Sequence, residues 1–276
     1  MPGANQLHLF QYWDSETPPA EIVPLLDSYR VQNPGMRYQC FNRSEAAAFI
    51  SDNFGQRALA AFNSCAVPAM QADYFRYCAV LARGGFYSDA DTHCIASLEP
   101  LLPAGADAAL FYREPLVPSG VDAELFRKAK LVQLMNGIFG FRHAGHPLLQ
   151  ALVEIATINI ERRVSNSVWL TTGPAILSAL HLLSRMTAQE RSRLSDSSVI
   201  GLIPNLWFTE DQKQAFFQIV YEYVLSRHLD FDSLFHGINV SRYEDVLGRH
   251  IELVNVTYKT TGRHWENWQE SIFSGA

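Results

Sequence analysis

The order of its elements predicts an α/β protein. Runs rich in aromatic and β-branched residues, at 7–13, 37–41, 86–88, 108–112 and 137–142, alternate with longer segments of helical character. Proline and glycine mark the joins, and no internal repeat, low-complexity tract or long linker breaks the alternation. A chain of 276 residues is also long enough to bury a sizeable core without covalent staples.

The elements follow in order. The run 7–13, LHLFQYW, is a first strand that carries Trp13 and Asp14 at its carboxyl end. Pro18 or Pro19 opens a helix reaching residue 29, and Asn33-Pro34-Gly35 breaks it. Residues 37–41 form the second strand. Ser44 is expected to cap the next helix, with Glu45 in its first turn, Gly55 interrupting it and a short helix resuming through Phe62. Pro68 opens a central helix that Gly84-Gly85 ends. The short run 86–88 reads as a buried strand, and 98–103 turns the chain away. Residues 108–112 make another strand, 121–129 a helix, and 137–142 a strand. His146-Pro147 starts a helix to residue 163, and Thr172-Gly173-Pro174 starts one to residue 185. The β-branched runs 199–203 and 251–257 fit strands, and 214–227 a helix. The tail, 259–276, carries Trp265 and Trp268.

Composition narrows the function. Hydrophobic residues make up 48% and charged ones 18%, which places the chain among globular proteins. Its net charge of −6, with no basic block, argues against nucleic acid as a partner, because neutralising phosphates needs clustered Lys and Arg. Cys40, Cys65, Cys78 and Cys94 form no C-x-x-C pair, so they are expected to be reduced thiols, which suits a cytoplasmic location. No basic stretch followed by a long apolar run marks a signal peptide, and no run is long enough for a transmembrane segment. Peripheral membrane contact through a surface patch stays open.

The rest of the chain is organised around residues 71–91, QADYFRYCAVLARGGFYSDAD. Asp89 and Asp91 follow an apolar strand and project to one side of an extended segment. Side by side they would repel, and a divalent cation such as Mn²⁺ or Mg²⁺ removes that conflict and bridges the phosphates of a nucleoside diphosphate. The plainer alternative is a pair of solvated turn aspartates. Asp73 and Arg76 lie three residues apart on a helix whose neighbours are mostly apolar. A buried ion pair is weak evidence for stability, so ligand contacts explain these two better than a surface bridge. Trp13 is either core or a platform for a nucleobase. The segment GRHWENWQ either plugs the core or folds back over the site, with His264 on the metal and Trp268 over the diphosphate.

These residues carry a resemblance. Asp73-x-x-Arg76 followed by Gly84-Gly85-Phe86-Tyr87-Ser88-Asp89-Ala90-Asp91 closely resembles the D-x-D sugar-transferase signature of glycosyltransferase family 32. That family includes fungal α-mannosyltransferases and bacterial capsule and lipopolysaccharide sugar transferases, and is related to the catalytic domains of the large clostridial toxins. Gln11-Tyr12-Trp13 resembles its opening strand. The segment from Asn136-Gly137 to His146-Pro147 resembles its N-to-HP segment, Thr172-Gly173-Pro174 its T-G-P helix start, and 264–268 its terminal H-x-x-S-W element. Asn267 stands where the family often has Ser, and Ser88 replaces a usual apolar residue.

The resemblance implies a GT-A fold, Rossmann-like and nucleotide-sugar-binding, with helical additions. It would be a single domain over 1–276, with the donor half in 1–146 and a helical acceptor half in 147–276 closed by the tail. It implies a metal-dependent, retaining hexosyltransferase that uses a UDP- or GDP-sugar donor and a glycan, lipid-linked or protein acceptor, as in polysaccharide biosynthesis. Asp91, Asp89, His264 and Asn267 are then expected at the metal. Trp13, Tyr87, Asp89 and Trp268 are expected at the nucleotide diphosphate. Asp73, Arg76 and Asn136 are expected around the sugar. A non-catalytic nucleotide-sugar or glycan-binding module is the alternative. A D-x-D phosphatase is disfavoured, because His93 stands where Thr or Val is wanted.

Overall fold

A computed structural model describes residues 6–113, 132–191, 210–261, 264–268 and 270–274. It is a mixed α/β structure around one seven-stranded sheet. Three parallel strands form one side in the order β2 (Arg37–Phe41), β1 (His8–Tyr12), β3 (Gly85–Ser88). Parallel neighbours need crossovers. α1 (Val23–Gln32) carries the chain from β1 to β2, and α2 (Arg43–Ser64) with α3 (Pro68–Arg83) carries it from β2 to β3. The chain thus leaves β1 for one neighbour and returns to the other, which opens a crevice beyond the carboxyl ends of β1 and β3.

The other side of the sheet brings further chain ends to the same edge. β7 (Ile138–Phe141) runs antiparallel to β3 with Ile138 opposite Ser88, so the residues just before β7 lie beside those just after β3. β5 (Ala108–Arg113) is antiparallel to β7 and to the short β6 (Gln133–Leu134), and parallel to β8 (Ile238–Arg242). A separate ribbon pairs β4 (Thr92–Cys94) with β9 (Ile251–Leu253).

Period-two alternation gives the sheet two buried faces. Phe10, Tyr12, Tyr87, Phe139 and Phe141 point into a core shared with α2, α3, α4 (Pro147–Arg162) and α6 (Pro174–Arg185). Leu9, Phe86, Phe111 and Ile138 point into the opposite core with Tyr29 of α1, Leu98 and Ile251. The central helix α3 is buried on nearly every side from Met70 to Val80. It ends at Gly84 and Gly85, both at positive φ, where a Cβ on Gly85 would collide with the backbone of His8 in β1. That close approach lets β3 pair with β1 at once after the helix.

Most expected elements lie where the pattern put them, and two helix starts differ. The first helix begins at Val23 with Pro24 in its first turn, because the Pro19 carbonyl takes the Ile22 and Val23 amides in a preceding turn. The second is capped by Asn42, not Ser44. The Asn42 side chain accepts from the Glu45 amide while the Glu45 carboxylate accepts from the Asn42 amide, a reciprocal capping box that Ser44, one residue inside, cannot form. Gly55 breaks α2 as expected, at φ 78°. The helix expected at 214–227 spans Glu210–Ser226, starting four residues earlier and ending one sooner, whereas 251–257 shrinks to β9. Strands β4 and β8 had no strong apolar alternation to announce them. The expected helix at 121–129 and strand at 199–203 lie outside the described residues. The four cysteines are free thiols.

On α6, His181 packs edge-on against Phe235, 5.2 Å between ring centroids. Burial lowers its imidazole to about 4, and nearby Arg185 adds to the fall. The unfolded chain therefore takes up the proton first, near pH 6.5. This contribution to stability is complete above that value and is lost as pH falls towards 4. In urea denaturation, His181→Gln should flatten the fall in unfolding midpoint between pH 7 and pH 4.5 relative to wild type.

Candidate functional site

A cavity of about 870 Å³ opens at the carboxyl edge of the sheet. Trp13 and Asp14 reach it from the end of β1, Asp89 and Asp91 from the end of β3, and Asn136 from the turn before β7. Asp73 and Arg76 reach it from α3, and Trp169 from α5 (Val168–Thr171).

Its floor is a buried charge network. The Arg76 guanidinium lies 3.0 Å from Asp73 Oδ1 and 2.8 Å from Asp89 Oδ1, and its Nε donates to the Ala72 carbonyl. Its plane sits over the Tyr87 ring, 4.6 Å from the centroid. Asp73 Oδ1 also accepts from Asn136 Nδ2 at 2.8 Å, and Oδ2 accepts from Thr172 Oγ1 at 3.2 Å. Asn136 Nδ2 reaches the Tyr77 hydroxyl at 3.0 Å as well, and that hydroxyl donates to the Thr172 carbonyl. The Arg76 and Asp73 side chains are only 5% and 8% exposed, against 34% for Asp89, so charge is deepest at the helix and opens to solvent at the strand end. Burial pushes the Asp73 carboxyl above its ordinary value, with Arg76, Asn136 and Thr172 pulling it back. Burial likewise lifts Asp89 to about 6 against the pull of Arg76, with Asp91 and Asp73 adding to the rise.

The turn that carries the two aspartates is held by its backbone. The Asp89 amide donates to the Gly137 carbonyl at 2.8 Å. The Asp89 carbonyl accepts from Thr92 Oγ1 at 2.8 Å and Gln11 Nε2 at 3.2 Å. Ser88 donates to the Tyr29 hydroxyl, which meets Thr92 Oγ1; both distances are 2.6 Å. The serine that departs from the usual apolar residue is thus a fully buried member of a hydroxyl chain that locks the turn. Gly137 lies against the Asp89 carboxylate, where a Cβ would collide with Oδ2.

The tail supplies the opposite wall. Lys259 Nζ stands 3.0 Å from Asp91 Oδ2 and donates to the Val254 carbonyl. The Tyr258 ring meets Trp13 edge-on at 5.1 Å and His264 at 6.1 Å. Glu21 accepts the amides of Thr257 and Tyr258, which hold its carboxyl below the ordinary value. Burial lowers the His264 imidazole, whose Nδ1 is 3.8 Å from a Glu266 oxygen.

Of the expected residues, Trp13, Asp73, Arg76, Tyr87, Asp89, Asp91, Asn136 and His264 all line the cavity. Asn267 and Trp268 do not. Asn267 spends its amide on the carbonyls of Lys259 and Thr261, and Trp268 packs on the main core with its indole N–H on the Ser271 carbonyl. Asn267 therefore holds the tail's shape, and Trp268 anchors it. Arg76 and Asp73 spend their polar atoms on each other and on Asp89, Asn136, Thr172 and the Ala72 carbonyl. Tyr258, Lys259 and Trp169 escaped notice in the sequence, and Thr172 was read only as part of a helix start, because only the returning chain gives them their partners at the site.

The donor set suits a hard divalent cation. Both hydrogen bonds to the Asp89 carboxylate among the described residues go to Oδ1, and Asp91 faces the same cavity. No group of three metal-binding His, Cys, Asp or Glu side chains is assembled among the described residues. Mg²⁺ and Mn²⁺ sites built on one or two carboxylates plus substrate phosphates do not need one.

Comparison with known proteins finds similarity over part of the chain. Residues 19–106 match the family described as glycosyltransferase sugar-binding region containing DXD motif. A 97-residue stretch is 26% identical to initiation-specific alpha-1,6-mannosyltransferase of Schizosaccharomyces pombe, covering 33% of this chain and 24% of that protein. The chain thus spans about a quarter of the length of that curated relative. The solved structure titled PaToxG Glycosyltransferase superposes with a TM-score of 0.48 at 15% identity, over 79% of this chain and 87% of that one. Residues 19–106 are thus similar to the DXD-containing sugar-binding region of glycosyltransferases, and the similarity to the mannosyltransferase is a distant one.

The network makes a contrast testable. Arg76→Leu strands a buried carboxylate, so it should lower unfolding free energy by about 3–5 kcal/mol. Asp91→Asn, at the more open end, should cost less than about 1 kcal/mol. Urea denaturation followed by circular dichroism checks both.

Proposed function

We propose that this chain is a metal-dependent, retaining glycosyltransferase that moves a sugar from a UDP- or GDP-sugar to a glycan, lipid-linked or protein acceptor. The observation that carries the reading is the charge gradient at the strand end: a largely buried Asp73–Arg76–Asp89 network behind, and Asp89 with Asp91 facing a cavity that the mostly buried Trp13 also lines. A nucleoside diphosphate fits that layout, with its base towards Trp13 and its phosphates beside the two aspartates. Mn²⁺ or Mg²⁺, held by Asp89 and Asp91 with His264 close by, would neutralise the diphosphate as it leaves.

The chain's own residues then have separate tasks. Arg76 holds Asp89 in place by a fixed ion pair, and Tyr87 supports the guanidinium from below. Asp73 orients Asn136, whose Nδ2 is fully engaged, so Oδ1 is the atom available to a sugar hydroxyl. Preorganised groups of this kind act without rearranging as charge develops. In the transfer step the bond from the anomeric carbon to the phosphate oxygen breaks and a bond to the acceptor oxygen forms. The acceptor's proton passes to the departing phosphate. No helix among the described residues is long and apolar enough to cross a membrane, and the free cysteines suit a reducing, cytoplasmic setting.

Purified protein should hydrolyse one UDP- or GDP-sugar in a Mn²⁺- or Mg²⁺-dependent manner, and a screen of such donors reads this directly. Asp91→Asn should reduce the rate by about 100-fold or more, by analogy with removing one oriented charge-stabilising group. Wild-type turnover in that variant would remove the metal assignment, and donor binding without any turnover would favour a binding module.

A further inference from the structure

Two adjacent tail residues sit where two parts of a donor complex would sit. The Tyr258 ring lies edge-on to Trp13, the aromatic platform at the end of β1. The Lys259 ammonium lies on Asp91 Oδ2 at 3.0 Å, the carboxylate that faces the cavity from the end of β3. Tyr258 thus sets an aromatic ring against the base platform, and Lys259 sets a cation on the metal carboxylate. Both belong to the single turn of 3₁₀ helix at Thr257–Thr260.

That turn is gripped from outside the cavity. Glu21, in the turn before α1, accepts the Thr257 and Tyr258 amides at 2.9 and 3.1 Å. Asn267 clamps its far end through the carbonyls of Lys259 and Thr261. The polar grip consists of side-chain-to-backbone hydrogen bonds at the surface, which local opening breaks easily, while Val256 just before the turn is buried beside Trp13 and Ile22. The Lys259–Asp91 pair is itself partly open, with side chains 30% and 24% exposed, so a divalent cation has a path to the carboxylate.

We propose that Tyr258 and Lys259 are donor-site residues that act as a built-in stand-in for the donor complex. Lys259 is the resident counter-ion of Asp91 in the donor-free protein, and Tyr258 screens Trp13. Cation and nucleotide together displace the turn, which couples metal binding to movement of the tail. The inference rests on the nucleotide-sugar reading above. It goes further by making the metal compete with a named side chain of the chain itself.

Two measurements test it without sugar transfer. Mn²⁺ alone is titrated into wild type and Lys259→Gln, and the free ion is followed by electron paramagnetic resonance. The variant should bind Mn²⁺ about fivefold more tightly, the scale of a partly exposed ion pair. Hydrogen exchange of the Thr257 and Tyr258 amides is then compared with and without Mn²⁺ plus UDP or GDP, and it should speed up on binding. Unchanged or weaker Mn²⁺ affinity in Lys259→Gln overturns the inference, as do amides that become more protected. Mn²⁺ binding by neither protein, alone or with UDP or GDP present, overturns the metal-site reading as well. Donor hydrolysis with equal Mn²⁺ affinity in the two proteins overturns this inference alone.

Discussion

Arg76 is the cation between two carboxylates in a place where water is nearly absent, and much of the site's geometry follows from keeping it there. An arginine so deeply buried stays in place only when its donors are met by acceptors of opposite charge. Asp73 supplies one from its own helix and Asp89 one from the strand end. The Tyr87 ring lies against the guanidinium carbon, which requires β3 to follow α3 almost without a loop. The glycine pair at 84 and 85 makes that junction sterically feasible.

The same network links distant parts of the chain. Asp73 needs more than one donor, and it draws Asn136 from the turn before β7 and Thr172 from the start of α6. The Thr172-Gly173-Pro174 segment therefore serves more than a helix start: its hydroxyl and carbonyl complete the shell around Asp73 and Tyr77. On the other flank, Ser88, Tyr29 and Thr92 fix the backbone of the aspartate turn from beneath. The outcome is a graded site, rigid where it meets α3 and open where Asp89 and Asp91 meet the cavity. A reaction that builds negative charge on a leaving group gains from such grading, because the fixed charges need not reorganise.

The tail completes this arrangement differently. Its contacts to the donor end run through Glu21, Trp13 and Asp91, and they are edge-on, exposed or partly exposed. Farther along, Trp268, Ile272 and Phe273 pack against the main core, and Val256 is buried beside Trp13, so the tail is pinned at both points and its 3₁₀ turn is held between them by polar and edge-on contacts. A segment of that kind is suited to move when a tighter-binding group competes for the same partners.

Local chemistry was enough to read the α/β alternation, the central helix and its glycine stop, and the aspartates at the strand end. Periodicity, proline and glycine act over a few residues, and these features depend on little else. The same local reading failed at Ser44, where Asn42 wins by forming two reciprocal bonds, and at β4 and β8, whose strands exist only because a partner strand is present. Which residues share the site was legible for those flanking β1, α3, β3 and β7, since sheet topology forces those ends together. Tertiary structure alone decided that Arg76 is also spent on Asp89 and Asp73 on Asn136 and Thr172, that Ser88 belongs to a buried hydroxyl chain, and that Lys259 rather than Asn267 or Trp268 meets Asp91. Each depends on contacts between segments tens to hundreds of residues apart, where geometry and desolvation select the partner and no local pattern records the choice.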